Sequence, residues 1–297
     1  MDQESRYLKR YIDYLGHIKK FSPHTLKAYR SDISQFLAYF EKGELPVDKT
    51  QVRDFISFVF SQNREKTTIA RKIYAVKSFY AYLVDIGALK KNPFDGINSP
   101  KISQRIPQIL TIGEMNQFLD LLPETTFLEL RNKAVFEFLY ATGLRISELT
   151  RLKTGDIQFE ERLIRILGKG KKERIVPFND AAGQTLRKYL RERDRLNPEA
   201  REREYVFVNS RGGRISERSV ERILQQVYLK LMHSGKHVYP HLFRHSFASH
   251  LLQEGANLRV IQELLGHANL STTEKYTTLN YSDLLKTYKK FHPRSGQ

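Results

Sequence analysis

The sequence contains no cysteine. That excludes disulfides, thiolate metal sites and a cysteine nucleophile. No run approaches the roughly 18 apolar residues needed to cross a bilayer. The opening residues, MDQESRYLKRYIDYLG, are charged and lack the apolar core of a signal peptide. A soluble, cytoplasmic protein without membrane association is therefore expected. No internal repeat is present, and no low-complexity tract beyond short basic clusters. No acidic cluster is suited to hold Mg²⁺, which disfavours two-metal phosphodiester hydrolysis. Negative charge is scarce throughout. The 33 acidic side chains face 50 lysines and arginines, a formal net charge of +17 over 297 residues. Residues 1–104 carry 18 basic and 11 acidic side chains, and residues 105–297 carry 32 and 22. Both halves are thus basic, as expected of a chain that meets a polyanion along its whole length and gains from released counterions.

The first hundred residues read as helical. Leu8, Tyr11, Ile12 and Leu15 mark an opening helix. A second follows Ser22-Pro23, an N-cap with proline at the first helical position, and its apolar residues run from Leu26 to Phe40. Phe55, Ile56, Val59 and Phe60 mark another. Ile69, Ile73, Val76, Phe79, Tyr80 and Leu83 mark one more, closed by Gly87 and Pro93. The stretch NPFDGINSPKISQRIPQIL then has three prolines and no periodicity, as a linker would. It ends at TIGE, a capping box that opens a new helix at Thr111. The boundaries expected are a helical N-terminal domain over 1–97, a linker over 98–110 and a second domain over 111–297. In the second domain LELRNKAVFEFLYATG reads as a helix ending at Gly143. RLIRILGKGKKERIVPF reads as two strands around a glycine-lysine turn, and EYVFVNSRGG as a further strand and turn. Helices then run to the end.

Four clusters in the second domain could carry chemistry. In ATGLRISEL, Arg145 precedes Glu148 by three residues, which alone is an ordinary ion pair at a helix start. In GKGKKER, Lys169, Lys171, Lys172 and Arg174 crowd a turn that could face a backbone phosphate or simply be solvated. Its spacing is not that of a nucleotide-binding phosphate loop. In PHLFRHSFASH, His241 and Arg244 share a helical face, while His241 and His245 stand four apart as in a zinc helix. The zinc motif's glutamate is missing, so an anion site with a proton shuttle fits better, and one of His245 and His250 is structural. In LLGHANLSTTEKYTT, His267 follows a glycine-ended apolar helix and Tyr276 lies nine residues on. Any single one of the sixteen tyrosines is an ordinary packing residue. Together the clusters supply what metal-free phosphoryl transfer requires. Arginines can hold non-bridging oxygens bidentately and neutralise a pentacoordinate transition state. A lysine or histidine can protonate the leaving oxygen. A tyrosine in a cationic pocket can be the nucleophile.

The clusters resemble those of the tyrosine recombinase (phage integrase) family. Arg145 in TGLRISEL, Lys169 in GKGKKER, His241 and Arg244 in HLFRH, His267 in LLGHANLSTT and Tyr276 fill the six family positions in order. SPHTLKAYRSDISQFLAYF resembles the Xer subgroup, which resolves chromosome dimers. The resemblance covers essentially the whole chain. It implies a mainly α fold with a small β-sheet. An all-helical, SAM-like core-binding domain and a mixed α/β catalytic domain would close on double-stranded DNA as a C-shaped clamp. It also implies the roles. Tyr276 attacks the scissile phosphate to give a 3′-phosphotyrosyl link, and Arg145 and Arg244 grip the non-bridging oxygens. Lys169 protonates the leaving 5′-oxygen, His241 assists proton moves on the tyrosine side, and His267 hydrogen-bonds the phosphate. Glu148 orients the arginines. No cofactor and no metal are needed. Four protomers, identical or paired with a paralogous recombinase, act on two sites, and a septal DNA translocase is a candidate activator. The helix at YSDLLKTYKKF docks into a neighbour through Leu284, Leu285, Tyr288 and Phe291. Arg218 and Arg222, on the helix after GGRISERS, are candidate major-groove contacts or else a solvated face. The alternatives are a mobile-element integrase and, in a different class, a non-catalytic DNA-binding regulator.

Overall fold

The computed structural model describes residues 3–40, 47–62, 65–97, 108–167, 173–196, 204–266 and 281–295. The chain divides into two compact units, Met1–Arg105 and Ile106–Gln297. The first holds four helices among its described residues: α1 (Gln3–His17), α2 (Pro23–Tyr39), α3 (Lys49–Ser61) and α4 (Lys66–Asp85). Ser22 caps α2, its hydroxyl accepting from the Thr25 amide at 3.2 Å ahead of Pro23. Asp48 closes a capping box with Gln51 on α3, two bonds of 2.8 Å. Helix α4 packs against the other three. The core is largely aromatic, with Phe36 meeting Phe55, Tyr80 and Phe94 at ring separations of 4.8–5.8 Å. Burying such rings is the main stabilising term, roughly 1.5–3 kcal/mol apiece.

One polar cluster lies within this unit. The Asp32 carboxylate on α2 is 2% exposed. It accepts from Lys72 Nζ on α4 at 3.0 Å and from the Arg71 guanidinium, while Lys72 also donates to the Gln35 side-chain carbonyl at 2.5 Å. The cluster ties α2 to α4.

The second unit holds eight helices among its described residues, with a three-stranded antiparallel sheet of order β1-β2-β3. Its hub is α6 (Phe127–Thr142), touched by α5 (Ile112–Asp120), α7 (Ile146–Arg151), α8 (Asp180–Leu196), α9 (Glu217–Met232), α10 (Pro240–Gln253) and β3 (Glu173–Pro177). From Leu130 to Thr142 nearly every residue of α6 is buried, so the helix has no polar face. Thr126 and Glu129 form its capping box, and Gly143 ends it at φ 60°, the left-handed conformation that suits glycine. A Cβ at Gly143 would also stand 2.4 Å from the Phe247 ring. Thr111 and Glu114 cap α5 as the sequence anticipates.

Strand β2 (Leu163–Leu167) buries Ile164 and Ile166 and turns Arg165 and Leu167 outward. It pairs with β1 (Ile157–Gln158) and with β3, where Ile166 faces Arg174. The expected two strands around the basic turn are therefore present. The further strand expected in EYVFVNSRGG is not formed. Tyr205 bridges to Lys153, and Val208 bridges to Arg214. The segment divides its hydrogen bonds between two partners, so neither grows into a ladder. Leu110, at the end of the segment read as linker, is fully buried and part of the second unit's core. Its N–H donates to Ser246 Oγ at 3.1 Å, and its carbonyl accepts from His250 at 2.7 Å.

Helix α11 (Leu258–Leu265) ends at Gly266, again left-handed at φ 63°. Helix α12 (Tyr281–Phe291) carries the apolar residues Leu284, Leu285, Tyr288 and Phe291 that the resemblance assigns to contact with a neighbouring protomer. Leu284 and Tyr288 are buried in this unit's own core, Phe291 packs against it, and Leu285 is half-buried. The Tyr288 hydroxyl donates to the Ala141 carbonyl at 2.8 Å. Within this chain α12 packs beside β3, and its Tyr288 reaches the C-terminal end of α6.

Candidate active site

Arg145 is the N-cap residue of α7. Its backbone N–H donates to one Glu148 oxygen at 2.8 Å and its guanidinium to the other at 3.1 Å. The sequence spacing places this pair, but not its partner. Arg174, at the start of β3, lays two guanidinium nitrogens on the same carboxylate, 2.8 Å each, and sends Nε to the Leu264 carbonyl at 3.1 Å. The Arg174 side chain is 12% exposed, against 39% for Arg145. This differs from the expectation that Arg174 joins the turn lysines on DNA. Its donors are committed inside the protein, because a strand start facing α7 and α11 turns it away from the turn.

Arg244, on α10, is buried. It donates to the Gly143 carbonyl at 2.7 Å and the Leu265 carbonyl at 2.6 Å. Both acceptors belong to helix C-termini closed by left-handed glycines, where unpaired carbonyls and the macrodipole favour a cation. Burial first, then the neighbouring charge of Arg145, pushes the Arg244 guanidinium down to about 10, with Glu148 opposing. It stays charged at neutral pH. Burial works to raise the Glu148 carboxyl, but the hydrogen bonds and charge of Arg174, then Arg145, outweigh it and hold it below the ordinary carboxylate range. Two guanidinium groups therefore pair with Glu148 and a third, on Arg244, lies near enough to feel its charge, so positive charge exceeds negative in this cluster.

His241 opens α10 one turn from Arg244, with its ring exposed and 6.2 Å from that of His245. Partial desolvation, then His245, Arg244 and Arg145, lowers its pKa below 6.5. The ring is therefore neutral at physiological pH. His250 is the structural histidine. Since the Leu110 carbonyl can only accept, Nε2 carries the proton and Nδ1 accepts from the Tyr140 hydroxyl at 2.8 Å.

Arg218 and Arg222 lie exposed, one turn apart on α9. Lys169, Lys171, Lys172, His267 and Tyr276 lie outside the described residues. Their neighbours do not: β3 begins at Glu173, and α11 delivers Gly266 immediately before His267. No group of three histidine or acidic side chains is placed to hold a metal ion among the described residues. Among them, too, no helix is long and apolar enough to cross a membrane.

What sequence reasoning missed is the part played by backbone carbonyls. The signal available was the glycine closing each of two helices beside a cluster residue, in ATGLR and LLGH.

Residues 108–283 match the phage integrase family, and residues 8–87 match the phage integrase N-terminal SAM-like domain. Tyrosine recombinase XerC of Thermodesulfovibrio yellowstonii is 40% identical over 294 residues, 98% of this chain and 97% of its relative. The crystal structure of XerA recombinase is 31% identical, with a TM-score of 0.51 over 98% of this chain and 100% of the other. XerH site-specific recombinase bound to difH substrate, in a pre-cleavage complex, has the same fold. It is 20% identical, with a TM-score of 0.67 over 98% of this chain and 82% of the other.

Proposed function

The chain belongs to the phage integrase family and is a site-specific tyrosine recombinase of the Xer type, and on that premise we propose that it resolves chromosome dimers by cutting and rejoining a short, near-palindromic DNA site. The observation that carries the chemistry is the charge imbalance at Glu148. Arg145, Arg174 and Arg244 bring three positive charges to one carboxylate, and Arg145 remains partly exposed. Such a site lacks an anion. A phosphodiester passing through a pentacoordinate transition state supplies it, and a preorganised, partly desolvated arginine array stabilises the charge as it grows.

In this mechanism the Tyr276 oxygen attacks the scissile phosphorus. The bond to the 5′-oxygen breaks, and a 3′-phosphotyrosyl link forms. The phenol proton leaves through the tyrosine-side base, for which neutral His241 is suited. Lys169 donates the proton that the departing 5′-oxygen takes up, and His267 hydrogen-bonds the phosphate. Arg145 and Arg244 hold the non-bridging oxygens. Reversal with a new 5′-hydroxyl rejoins the strand. The linkage conserves the phosphodiester's energy, so neither nucleotide nor metal is consumed. Lys171, Lys172, Arg218 and Arg222 anchor the duplex on either side. The N-terminal domain holds the core site, the segment ahead of Leu110 connects it, and the C-terminal domain performs catalysis. Four protomers on two sites exchange strands in pairs, with identical subunits or a paralogous recombinase, and a septal translocase is a candidate activator.

A nicked suicide duplex carrying the site, incubated in EDTA, tests this. The expected product is a protein–DNA adduct that survives SDS and disappears in Tyr276→Phe while DNA affinity stays close to wild type. No adduct would leave a DNA-binding regulator, and relaxation of supercoils irrespective of sequence would indicate a topoisomerase.

A further inference from the structure

We infer that Arg174 is a positioning residue of the strand-cleavage reaction. It sets Arg145 against the scissile phosphate through Glu148 and fixes the end of α11 that leads into His267. The inference rests on the recombinase function above. Three observations converge on this side chain. First, Glu148 is shared. Each of its oxygens takes a bond from Arg174 at 2.8 Å, leaving the remaining lone pairs to the Arg145 backbone N–H at 2.8 Å and guanidinium at 3.1 Å. Arg174 thus fixes the plane of the carboxylate that orients Arg145, as a planar bidentate fork does and an ammonium cannot.

Second, the third donor of Arg174, Nε, reaches the Leu264 carbonyl, while Arg244 holds the Leu265 carbonyl one residue on. Two arginines therefore grip consecutive carbonyls at the C-terminus of α11. The space at this point is tight. A Cβ on Gly266 would stand 2.9 Å from Arg174 Cδ and 3.1–3.2 Å from Nε and Cζ, so glycine is what lets the helix end meet the guanidinium. Third, Arg174 sits at the start of β3, paired across the sheet with Ile166, and so follows closely in sequence on Lys169. One residue touches or adjoins the supports of an arginine, a histidine and a lysine of the proposed machinery. Each of its three nitrogens already donates inside the protein. Misplacement of a reacting group by about 1 Å costs on the order of 10²-fold in rate, so a support of this kind is felt in the chemical step.

The test uses full-length Arg174→Lys and Arg174→Ala with the nicked suicide duplex, at protein concentrations that saturate the site. Expected is a fall in adduct rate of about 10²-fold in Arg174→Ala, with site affinity within a few fold of wild type. Arg174→Lys should recover little of the loss, and added guanidinium should restore Arg174→Ala several-fold. A second substrate isolates the role. A methylphosphonate at the scissile position removes the charge that Arg145 faces, so the Arg174→Lys defect should shrink on it as the Arg145→Ala defect does. A merely structural defect would be the same on both substrates, and that result overturns the inference. So does a wild-type rate in folded Arg174→Ala, or failure of both variants to fold, which would make Arg174 a scaffold residue. Absence of any wild-type adduct takes down the recombinase function itself, and this inference with it.

Discussion

Asp32 in the N-terminal unit and Glu148 in the C-terminal unit each stand among cations, and the two clusters are built to different ends. In the N-terminal unit Asp32 meets Lys72 and Arg71, and Gln35 takes up a further lysine donor. All four residues lie on α2 and α4, so the cluster is a tie between two helices. In the C-terminal unit Glu148 meets Arg145 and Arg174, with Arg244 close enough to feel all three charges. Those residues come from α7, β3 and α10, and two of the arginines also hold the last carbonyls of α6 and α11. A buried acid that only joins helices has its charge met locally. A site built for an anion keeps a surplus of positive charge and stiffens it from behind with backbone carbonyls.

That contrast is sharpest in Asp32→Ala. Removing the acid leaves Lys72 buried without a counter-charge, which costs about 3–5 kcal/mol. Thermal unfolding should show the N-terminal unit weakened by that amount, and a loss below 1 kcal/mol would break the comparison. Arg145→Ala comes next. Withdrawing one transition-state donor should lower adduct formation about 10²–10³-fold, with site affinity nearly kept, as gel-shift and quench assays together would report.

Stability against pH separates the units differently. His250 and His292 lie buried and neutral in the C-terminal unit. Burial lowers both, and His292 falls to about 3. The unfolded chain protonates these rings near 6.5, whereas the folded unit does so only at lower pH. Their contribution is thus complete above 6.5 and declines as pH falls towards the folded values. The slope approaches about 1.4 kcal/mol per pH unit for each ring while only the unfolded form is protonated. Urea titrations at pH 7 and pH 5 should show that loss in the C-terminal transition. A gain in stability on acidification would reverse the assignment of neutral rings. Smallest is Ser22→Ala, about 1 kcal/mol from the lost cap of α2, visible as a lower urea midpoint of the N-terminal unit.

Helices with one apolar face were legible in the sequence. Tyr29, Ile33 and Phe36 recur at helical spacing, and the caps at Ser22 and Thr111 stand where the hydroxyl and Glu114 place them. The order of Arg145, Lys169, His241, Arg244, His267 and Tyr276 made the chemistry legible too. What sequence could not convey is contact across the chain. Arg174 lies 26 residues from Glu148 and 90 from Leu264, and nothing in GKGKKER marks its arginine as inward. The bridges of 204–215 escaped for a related reason, since a segment that changes partners midway carries the same alternation as a strand. The apolar stripe of α12 announced that it would be covered, and only the fold shows β3 and the end of α6 beside it.

The central claim is that the Glu148 cluster acts on the phosphate and the Asp32 cluster acts on the fold. Adduct formation by Arg145→Ala and by Asp32→Ala, at saturating protein on the same nicked duplex and at a temperature where both are folded, tests it most directly. The account predicts a rate lower by about 10²-fold or more in Arg145→Ala and a rate within a few fold of wild type in Asp32→Ala. Equal losses in the two variants, or a wild-type rate in Arg145→Ala, would contradict it.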